Sequence, residues 1–281
     1  MNHSQASLYD QIQEAVAFVR SRTDFQPRFG IILGTGLGNL ADEIDVVESI
    51  DYSLIPHFPA ATVQSHRGKL LFGYLATQPV VVMAGRFHYY EGYSMQQVTF
   101  PVRVLQFLGI ETLLITNVAG STRADIEAGD LVFVKDHINL QPDNPLRGEN
   151  DERLGVRFPD MLHTYAKNLI ETALNIAKKH HIRATTGVYV ALPGPNLETP
   201  AEYEFLHRIG GDVVGMSTVP EVLVARHGGL SVFVASIVSN KCYPPNEIKA
   251  TTIASVIAVA ARASVQLSLL LREMVTEIAS K

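Results

Sequence analysis

Short apolar runs, each followed by small or polar residues, recur along the whole chain. The runs at 29–33, 80–83 and 112–116 are rich in β-branched residues and are typical of strands buried on both faces. Between such runs, segments with apolar residues at every third or fourth position predict amphipathic helices, one of them capped by Ser7 and another by Ser94. This alternation predicts an α/β protein with a largely buried sheet.

The same pattern extends through the second half of the chain. Further strands are predicted at 69–74, 131–134, 187–192, 213–216 and 230–238, and further helices at 162–179, 221–227 and 252–277. A long loop rich in proline, asparagine and arginine at 141–160 predicts a lid or a subunit contact. Because no linker interrupts the pattern, we predict one domain over residues 1–281.

Composition narrows the classes of partner. The 281 residues carry a formal net charge of −5, which argues against a nucleic-acid or anionic-membrane surface as the main partner. The single cysteine, Cys242, excludes an intrachain disulfide and a cysteine-based zinc cluster. The N-terminus lacks the features of a signal peptide, and no apolar run is judged long enough to span a membrane. We therefore expect a cytoplasmic location.

Chemically useful side chains cluster where the predicted strands end. A glycine-rich turn at 34–38 follows the first strand and exposes backbone N–H groups to an anion. Arg86, His88 and Tyr90 follow the strand at 80–83, and Glu198 and Asn240 follow two later strands. Because ligands of α/β proteins bind at the carboxyl ends of strands, we expect these groups to meet in one site.

The motifs allow two other interpretations. The G-x-G-x-G turn resembles a dinucleotide-binding loop, and Asp51 could bind a ribose, but no clean βαβ unit follows, so nicotinamide binding ranks low. Asp136 and His137 form a pair that could hold a metal, but no third ligand lies nearby in the sequence. We interpret that pair as structural and predict no metal site.

The strand-end groups suit a phosphate together with a neutral heterocycle. Arg86 can bind phosphate through two hydrogen bonds, and Thr35, His88 and Ser217 can add others. Glu198 and Asn240 can recognise the edge of a base. No nucleophile elbow, metal set or paired-carboxylate signature is present in the sequence.

Taken together, these motifs resemble those of the trimeric-type purine nucleoside phosphorylases of the nucleoside phosphorylase superfamily. The resemblance covers nearly the full length, through GTGLG, HRG, GRFHYYEGY, TNVAGS, GPNLETPAE, GDVVGMSTVPEV and SNK in this order. It implies a mixed, partly barrel-like sheet flanked by helices. It also implies a homotrimer in which phosphate attacks the anomeric carbon of a purine nucleoside to give free base and ribose 1-phosphate, as part of purine salvage.

The resemblance also implies a role for individual residues. Phosphate would be bound by Thr35, His66, Arg86, His88, Val118 and Ser217. Ribose would be bound by Tyr90, Met216 and Phe158, the last supplied by the neighbouring subunit. The base would be bound by Leu197, Glu198, Val214 and Asn240, and the catalytic residues would be His88, Glu198 and Asn240. No cofactor is implied, since inorganic phosphate is a co-substrate.

The chemistry predicts a preference among purines. A 6-oxopurine carries a proton on N1 that an ionised Glu198 can accept, whereas adenine offers only an acceptor there. An unpaired buried carboxylate can discriminate by roughly 10⁴-fold. We therefore expect inosine and guanosine to be used and adenosine to be poor.

Three positions depart from the family pattern. Leu197 and Val118 stand where the family often has an aromatic residue and an alanine. The region of Thr251–Ile253 lacks a histidine that in many members contacts the ribose 5′-hydroxyl. The alternatives kept open are a 5′-methylthioadenosine or xanthosine phosphorylase, a nicotinamide-dependent oxidoreductase, and a catalytically silent nucleoside-binding protein.

Overall fold

The computed structural model describes residues 6–60 and 68–280. Its strands are β1 (Phe29–Ile32), β2 (Asp45–Asp51), β3 (Lys69–Leu75), β4 (Gln78–Ala84), β5 (Thr112–Ser121), β6 (Leu131–Asn139), β7 (Ala184–Ala191), β8 (Val213–Gly215) and β9 (Ser231–Lys241). Its α-helices are α1 (Leu8–Arg22), α2 (Gly38–Asp42), α3 (Met95–Phe107), α4 (Lys167–Lys179), α5 (Pro200–Arg208), α6 (Val219–His227) and α7 (Ile253–Ala279).

The strands form one mixed sheet in the order β2-β3-β4-β1-β5-β8-β7-β6-β9. An additional parallel pairing between β5 and β9 closes β5, β8, β7, β6 and β9 into a ring. The predicted fold class, a largely buried and partly barrel-like mixed sheet flanked by helices, is therefore confirmed. Because β1, β4, β5 and β9 are mutually parallel through the pairs β1–β4, β1–β5 and β5–β9, their carboxyl ends share one edge of the sheet.

Several predicted boundaries differ from the structure. The strands β5 and β9 continue through Ser121 and Lys241, well past the predicted ends, because small residues such as Ala119 and Gly120 pair in the ladder as readily as the apolar ones. Sequence analysis missed β2, whose residues are mostly exposed and so leave no apolar run. Helix α4 begins at Lys167, since the preceding Leu162 is exposed and lies outside it.

Asp51 lies at the end of β2, where a carboxylate oxygen is 3.2 Å from the Lys69 ammonium. Its salt bridge lies across the β2–β3 pair and is partly exposed. This placement gives no support to the dinucleotide-binding interpretation. The Asp136–His137 pair lies within β6, and His137 Nδ1 is 2.9 Å from the Tyr165 hydroxyl.

Helix α7 contradicts the prediction that no apolar run is long enough to span a membrane. It is 27 residues long and apolar enough to cross a membrane by length and composition, because only scattered charges interrupt it. Core helices of folded domains meet the same criterion, and a third of the apolar window is buried in this fold. Its second half packs Leu267, Leu271 and Met274 into the main core.

Candidate active site

A cavity of about 380 Å³ lies where the carboxyl ends of the parallel strands meet. It is lined by eleven residues predicted from the sequence: Thr35, Arg86, His88, Tyr90, Val118, Leu197, Glu198, Val214, Met216, Ser217 and Asn240. These residues come from segments far apart in the sequence. The topology therefore brings together what the strand-end pattern predicted.

The position of Arg86 is fixed by a buried ion pair. Its guanidinium Nε donates to Glu221 Oε1 at 3.0 Å, and Nη2 lies 3.0 Å from the same oxygen. Nη1 donates to Ser217 Oγ at 3.1 Å and to the Thr116 carbonyl at 3.2 Å. Both side chains of the pair are nearly inaccessible, so the carboxylate balances a charge that would otherwise be costly to bury.

Glu221 also lies in the first turn of α6, a helix that begins directly after Ser217 and Thr218. The positive end of a nine-residue helix therefore lies beside Ser217. Thr218 has φ of 74°, a left-handed conformation that is costly for a β-branched residue. Its hydroxyl accepts a hydrogen bond from Asn117 Nδ2 at 2.9 Å, which holds the turn that presents Ser217 to the cavity.

Glu91 orients the His88 ring. The carboxylate accepts from the His88 backbone N–H and from Nδ1, both at 2.8 Å. Glu91 thus supports the loop that carries His88. The His88 ring stacks on Tyr90 with 4.7 Å between centroids, and burial raises the pKa of Tyr90 to about 12, with Glu91 adding to the effect. Tyr90 therefore stays protonated at neutral pH.

The Tyr90 side of the cavity depends on a glycine. Gly194 has φ of 66°, and a Cβ there would lie 2.4 Å from Met216 Sδ and 3.4 Å from a Tyr90 ring carbon. The lack of a side chain lets the loop after β7 approach both residues closely. Tyr90 and Met216, two of the predicted ribose contacts, therefore both lie beside this loop.

Asn240 is directed by a β-bulge. In the β5–β9 pair, Val238 lies opposite Ala119 and Asn240 lies opposite Gly120, so Ser239 is the extra residue. Bulges of this kind redirect the side chains beside them. Asn240 Oδ1 accepts from the Ser239 hydroxyl at 2.7 Å, and Nδ2 donates to Cys242 Sγ at 3.2 Å.

Glu198 lies just before α5, and its environment is only partly aqueous. Burial raises the pKa of its carboxyl above the usual range. Tyr203 lines the cavity and packs with Cys242 in the same small core cluster. Burial raises the pKa of Cys242 to about 12, so the thiol stays neutral.

The structure places one of the two remaining predicted residues. Phe158 does not line it, and 86% of its side chain is exposed. His66 lies outside the described residues. Within the ranges 6–60 and 68–280, no three histidine, cysteine or acidic side chains are grouped as a metal site.

Sequence analysis missed several residues that line or support the cavity. They are Glu221, Asn117, Pro195, Tyr203, Ser239 and Val256, together with Cys242 behind the wall. Glu221 lies within the quoted motif GDVVGMSTVPEV and could have been flagged there. Tyr203 and Cys242 had no such signal, because only the folded chain brings them beside Glu198 and Asn240.

Comparison with known proteins identifies the family. The profile of the Phosphorylase superfamily matches residues 28–276. Purine nucleoside phosphorylase 1 of Geobacillus stearothermophilus is 52% identical over 229 residues, covering 82% of this chain and 84% of the relative. This chain belongs to the purine nucleoside phosphorylase family. The mouse purine nucleoside phosphorylase is 47% identical over 238 residues, covering 83% of this chain and 82% of its own.

Solved structures agree with this assignment. Isoform 2 of purine nucleoside phosphorylase from Schistosoma mansoni, in complex with cytosine and ribose-1-phosphate, matches with a TM-score of 0.91 and 38% identity, over 95% of this chain and 96% of that one. A second purine nucleoside phosphorylase structure from schistosoma, in complex with hypoxanthine, matches with a TM-score of 0.90 and 37% identity, over 96% and 98%. The similarity therefore spans the whole fold.

Proposed function

We propose that this chain catalyses the reversible phosphorolysis of 6-oxopurine nucleosides, inosine and guanosine and their deoxy forms, to free base and (deoxy)ribose 1-phosphate. The observation that carries the proposal is one cavity lined both by a cationic, hydroxyl-bearing group and by a carboxylate–amide pair. Arg86 and Ser217 belong to the first, and Glu198 and Asn240 to the second.

Phosphate is proposed to bind at the first group. Nη1 of Arg86 and the Ser217 hydroxyl lie together, the α6 N-terminus adds a positive dipole end, and Thr35, His88 and Val118 line the same cavity. The Nε and Nη2 edge of Arg86 is engaged by Glu221. Both N–H groups of Nη1 are engaged, by Ser217 Oγ and by the Thr116 carbonyl. We therefore propose that phosphate takes the place of Ser217 Oγ as an acceptor of Nη1 and does not bind the Nε and Nη2 edge.

In the proposed step, a phosphate oxygen forms a bond to the anomeric carbon as the bond from that carbon to the purine N9 breaks. The electron pair of that bond goes to the purine, which then takes a proton from solvent. The phosphate dianion stabilises the cationic sugar, and Asn240 Nδ2 donates a hydrogen bond to the base as its charge develops. Catalysis then rests on positioning and electrostatics, with no protein nucleophile.

Base selection is proposed to rest on Glu198. Its carboxylate accepts the N1–H of a 6-oxopurine, while Leu197 and Val214 contribute apolar contacts from the cavity wall. Adenine would place an acceptor against that carboxylate. The burial of Glu198 makes the mismatch costly.

The 5′ side of the ribose is proposed to face the start of α7. Thr251, Thr252, Ile253 and Val256 line the cavity there, and none of them is a histidine. The threonine hydroxyls are the polar groups that these four side chains offer to a 5′-hydroxyl. The apolar Ile253 and Val256 favour tolerance of 5′-deoxy sugars, which is the observation behind the alternative of a 5′-methylthioadenosine phosphorylase.

The assembly is proposed to be a homotrimer in which Phe158 closes a neighbour's ribose site. The support is an apolar segment left exposed on this subunit, in which Val156, Phe158 and Leu162 are 64%, 86% and 77% accessible. Such a patch is typical of a protein–protein contact. The number three itself rests on the resemblance to the trimeric enzymes.

The deciding experiment measures base release from inosine, guanosine, xanthosine, adenosine, 5′-deoxyinosine and methylthioadenosine, each with and without phosphate. We expect phosphate-dependent release from inosine and guanosine, with adenosine slower by about 10³-fold or more. Release without phosphate would indicate a hydrolase. Methylthioadenosine as the preferred substrate would favour the alternative.

A further inference from the structure

A tight γ-turn over residues 217–219 connects strand β8 to helix α6. Thr218, its central residue, has φ of 74° and ψ of −56°, and the Val219 N–H donates to the Ser217 carbonyl at 2.8 Å. Turns of this handedness are rare and strained, above all around a β-branched residue. Such strain persists only where the surrounding structure holds it in place, and it is concentrated at functional sites.

The turn places two neighbouring hydroxyl groups side by side. Ser217 Oγ and Thr218 Oγ1 are 3.1 Å apart, whereas adjacent side chains of an extended strand point to opposite faces. Thr218 occupies the N-cap position of α6, where a threonine side chain commonly caps the helix. Among the described residues, however, its side chain caps no backbone N–H of that helix. The Thr218 hydroxyl is therefore directed to its neighbour and not to the helix.

Each of the two hydroxyls also contacts a buried donor. Arg86 Nη1 donates to Ser217 Oγ at 3.1 Å, and Asn117 Nδ2 donates to Thr218 Oγ1 at 2.9 Å. Arg86, Asn117 and Thr218 are all buried. The contacts therefore form a continuous row from Glu221 through Arg86, Ser217 and Thr218 to Asn117.

Two proton arrangements are possible between the hydroxyls, and they differ in what Ser217 can offer to the cavity. Thr218 Oγ1 already accepts from Asn117, and its own proton can be donated to Ser217 Oγ. Ser217 then keeps its O–H for the cavity that it lines. In the opposite arrangement Ser217 would donate that proton to Thr218 and would face phosphate without a donor. Because phosphate oxygens accept hydrogen bonds, a bound phosphate favours the first arrangement.

Phosphate binding makes the contact with Thr218 more important. In the proposed function, a phosphate oxygen takes the place of Ser217 Oγ as an acceptor of Arg86 Nη1. Ser217 Oγ then loses its contact with Arg86, while the contact with Thr218 remains. Thr218 is fully buried and does not line the cavity, so it acts through Ser217 without touching phosphate.

We propose that Thr218 is a positioning residue for phosphate, whose hydroxyl donates to Ser217 Oγ and so directs the Ser217 O–H towards the bound anion. This rests on the proposed function of the cavity. The strained backbone is part of the arrangement, because an extended chain would separate the two hydroxyls. A glycine would adopt φ of 74° without strain, but it has no hydroxyl to offer.

A set of substitutions separates the hydroxyl from the backbone. Thr218→Val keeps the branched shape and removes the hydroxyl, whereas Thr218→Ser keeps the hydroxyl. Ser217→Ala removes the proposed contact with phosphate. Thr122→Val is the matched control, because Thr122 is also fully buried and its hydroxyl donates to the Gly211 carbonyl at 2.7 Å. Neither Thr122 nor Gly211 lines the cavity.

The measurement is the calorimetric Kd of each protein for inorganic phosphate, and the thermal midpoint reports whether each variant folds. Ser217→Ala should raise this Kd by about tenfold or more, since a hydrogen bond to a charged ligand is lost. Thr218→Val should raise it by about fivefold or more, because Ser217 loses the partner that orients it. Thr218→Ser and Thr122→Val should keep it within about twofold. If Thr218→Val does not fold, Thr218→Gly replaces it, since glycine relieves the strain and also lacks the hydroxyl.

A double variant distinguishes positioning of Ser217 from a general structural role. When Ser217→Ala is already present, Thr218→Val should change the phosphate Kd by less than about twofold, because the hydroxyl that Thr218 orients is gone. The same fold-change in both backgrounds would overturn the proposal. So would a phosphate Kd that is equal in Thr218→Val and Thr218→Ser, or a loss of affinity that Thr122→Val shares.

Failure of the proposed function would be a separate result. It would be seen as a wild type that binds phosphate but releases no base from inosine, or that releases base without phosphate. The phosphate affinities of the variants decide the role of Thr218 in either case. A wild type that does not bind phosphate would overturn both proposals.

Discussion

Individual side chains of the cavity are proposed to have separate tasks. Arg86 and Ser217 are hydrogen-bonded to each other, and Glu198 and Asn240 line the same cavity, so the proposed phosphate and base recognition can be changed one at a time. The position of Arg86 depends on a partner, Glu221, that does not line the cavity.

Glu198→Gln tests base recognition. The amide removes the charge that accepts the N1–H, so kcat/KM for guanosine should fall by about 10²-fold or more. The KM for phosphate should change by less than about threefold, because Arg86 and Ser217 are untouched. Steady-state kinetics with each substrate varied in turn would check this, and parallel losses in both constants would contradict it.

Glu221→Gln tests the buried ion pair. It leaves Arg86 with an uncompensated charge, so the free energy of unfolding should fall by about 3 kcal/mol. Added phosphate should raise the thermal midpoint of the variant more than that of the wild type, because the dianion restores the missing negative charge. Equal shifts in the two proteins would show that phosphate does not bind at Arg86.

At the scale of elements, helix termini and loops fix where the cavity walls lie. Helix α7 begins at a capping box in which Thr252 Oγ1 accepts from the Ser255 N–H at 3.1 Å. Ile253 and Val256, in its first turn, line the cavity. The stability of that turn is therefore coupled to the proposed 5′ side of the site.

Thr252→Ala should lower stability by about 1 kcal/mol through the lost cap. It should also raise the KM for inosine, because the first turn of α7 loosens beside the cavity and a hydroxyl proposed to face the ribose 5′-hydroxyl is lost. Ser7→Ala removes a matching capping box at α1 and is the control, since it should lower stability without changing that KM. The same KM in both variants would indicate that the α7 terminus has no role in binding.

The loop that carries Phe158 is anchored by a buried Arg103–His227 pair. Arg103 Nη2 lies 2.7 Å from His227 Nδ1, and Nη1 donates to the Leu154 carbonyl at 3.1 Å. His227 Nε2 lies 2.9 Å from the Val156 carbonyl, so it carries the proton and Nδ1 accepts from Arg103. Burial, and then the Arg103 charge, lower the pKa of His227, and burial also lowers the pKa of His137.

A lowered histidine pKa makes stability depend on pH in a defined direction. Below about pH 6.5 the unfolded chain binds a proton that the folded chain resists, so the free energy of unfolding should fall as the pH decreases through that window. His227→Gln should flatten this dependence only in part, because His137 contributes as well. Thermal unfolding between pH 5 and pH 8 measures this dependence. A dependence on pH that is the same in His227→Gln and in the wild type would show that His227 does not contribute to it.

At the scale of the whole molecule, the cavity lies at one edge of the sheet, and one apolar segment is exposed outside the cavity. The parallel strands β1, β4, β5 and β9 bring their carboxyl ends together, while Phe158 lies on the surface and does not line the cavity. An exposed aromatic residue of this kind is typical of an interface. The proposed assembly can therefore be tested by combining two variants that are each defective in a different part of the site.

Phe158→Ala and Arg86→Ala should each lower activity. For Phe158→Ala we expect a loss of about tenfold or more, because an aromatic contact is removed from a closed site. When the two impaired proteins are unfolded together and refolded, activity should rise above that of either variant alone, because an intact cavity can receive Phe158 from an Arg86→Ala neighbour. Sedimentation should give a trimer. No recovery in the mixed protein would place Phe158 outside the neighbouring site.

The sequence by itself determined the fold class and most of the cavity. Buried β-branched runs can only be satisfied inside a covered sheet, and polar residues at their ends meet because parallel strands end together. That reasoning reached Arg86, His88, Glu198 and Asn240 from local pattern and from resemblance. It missed the exposed strand β2, where no apolar run marks the pairing.

Only the tertiary structure decided what holds those side chains in place. Arg86 and Glu221 are 135 positions apart, and no periodicity relates them. The bulge at Ser239 and the contacts of Cys242 and Tyr203 arise from closure of the β5–β9 ring and from the docking of α5 beside it. Hydrogen-bond partners are chosen by distance in space, so they become readable only when the chain has folded.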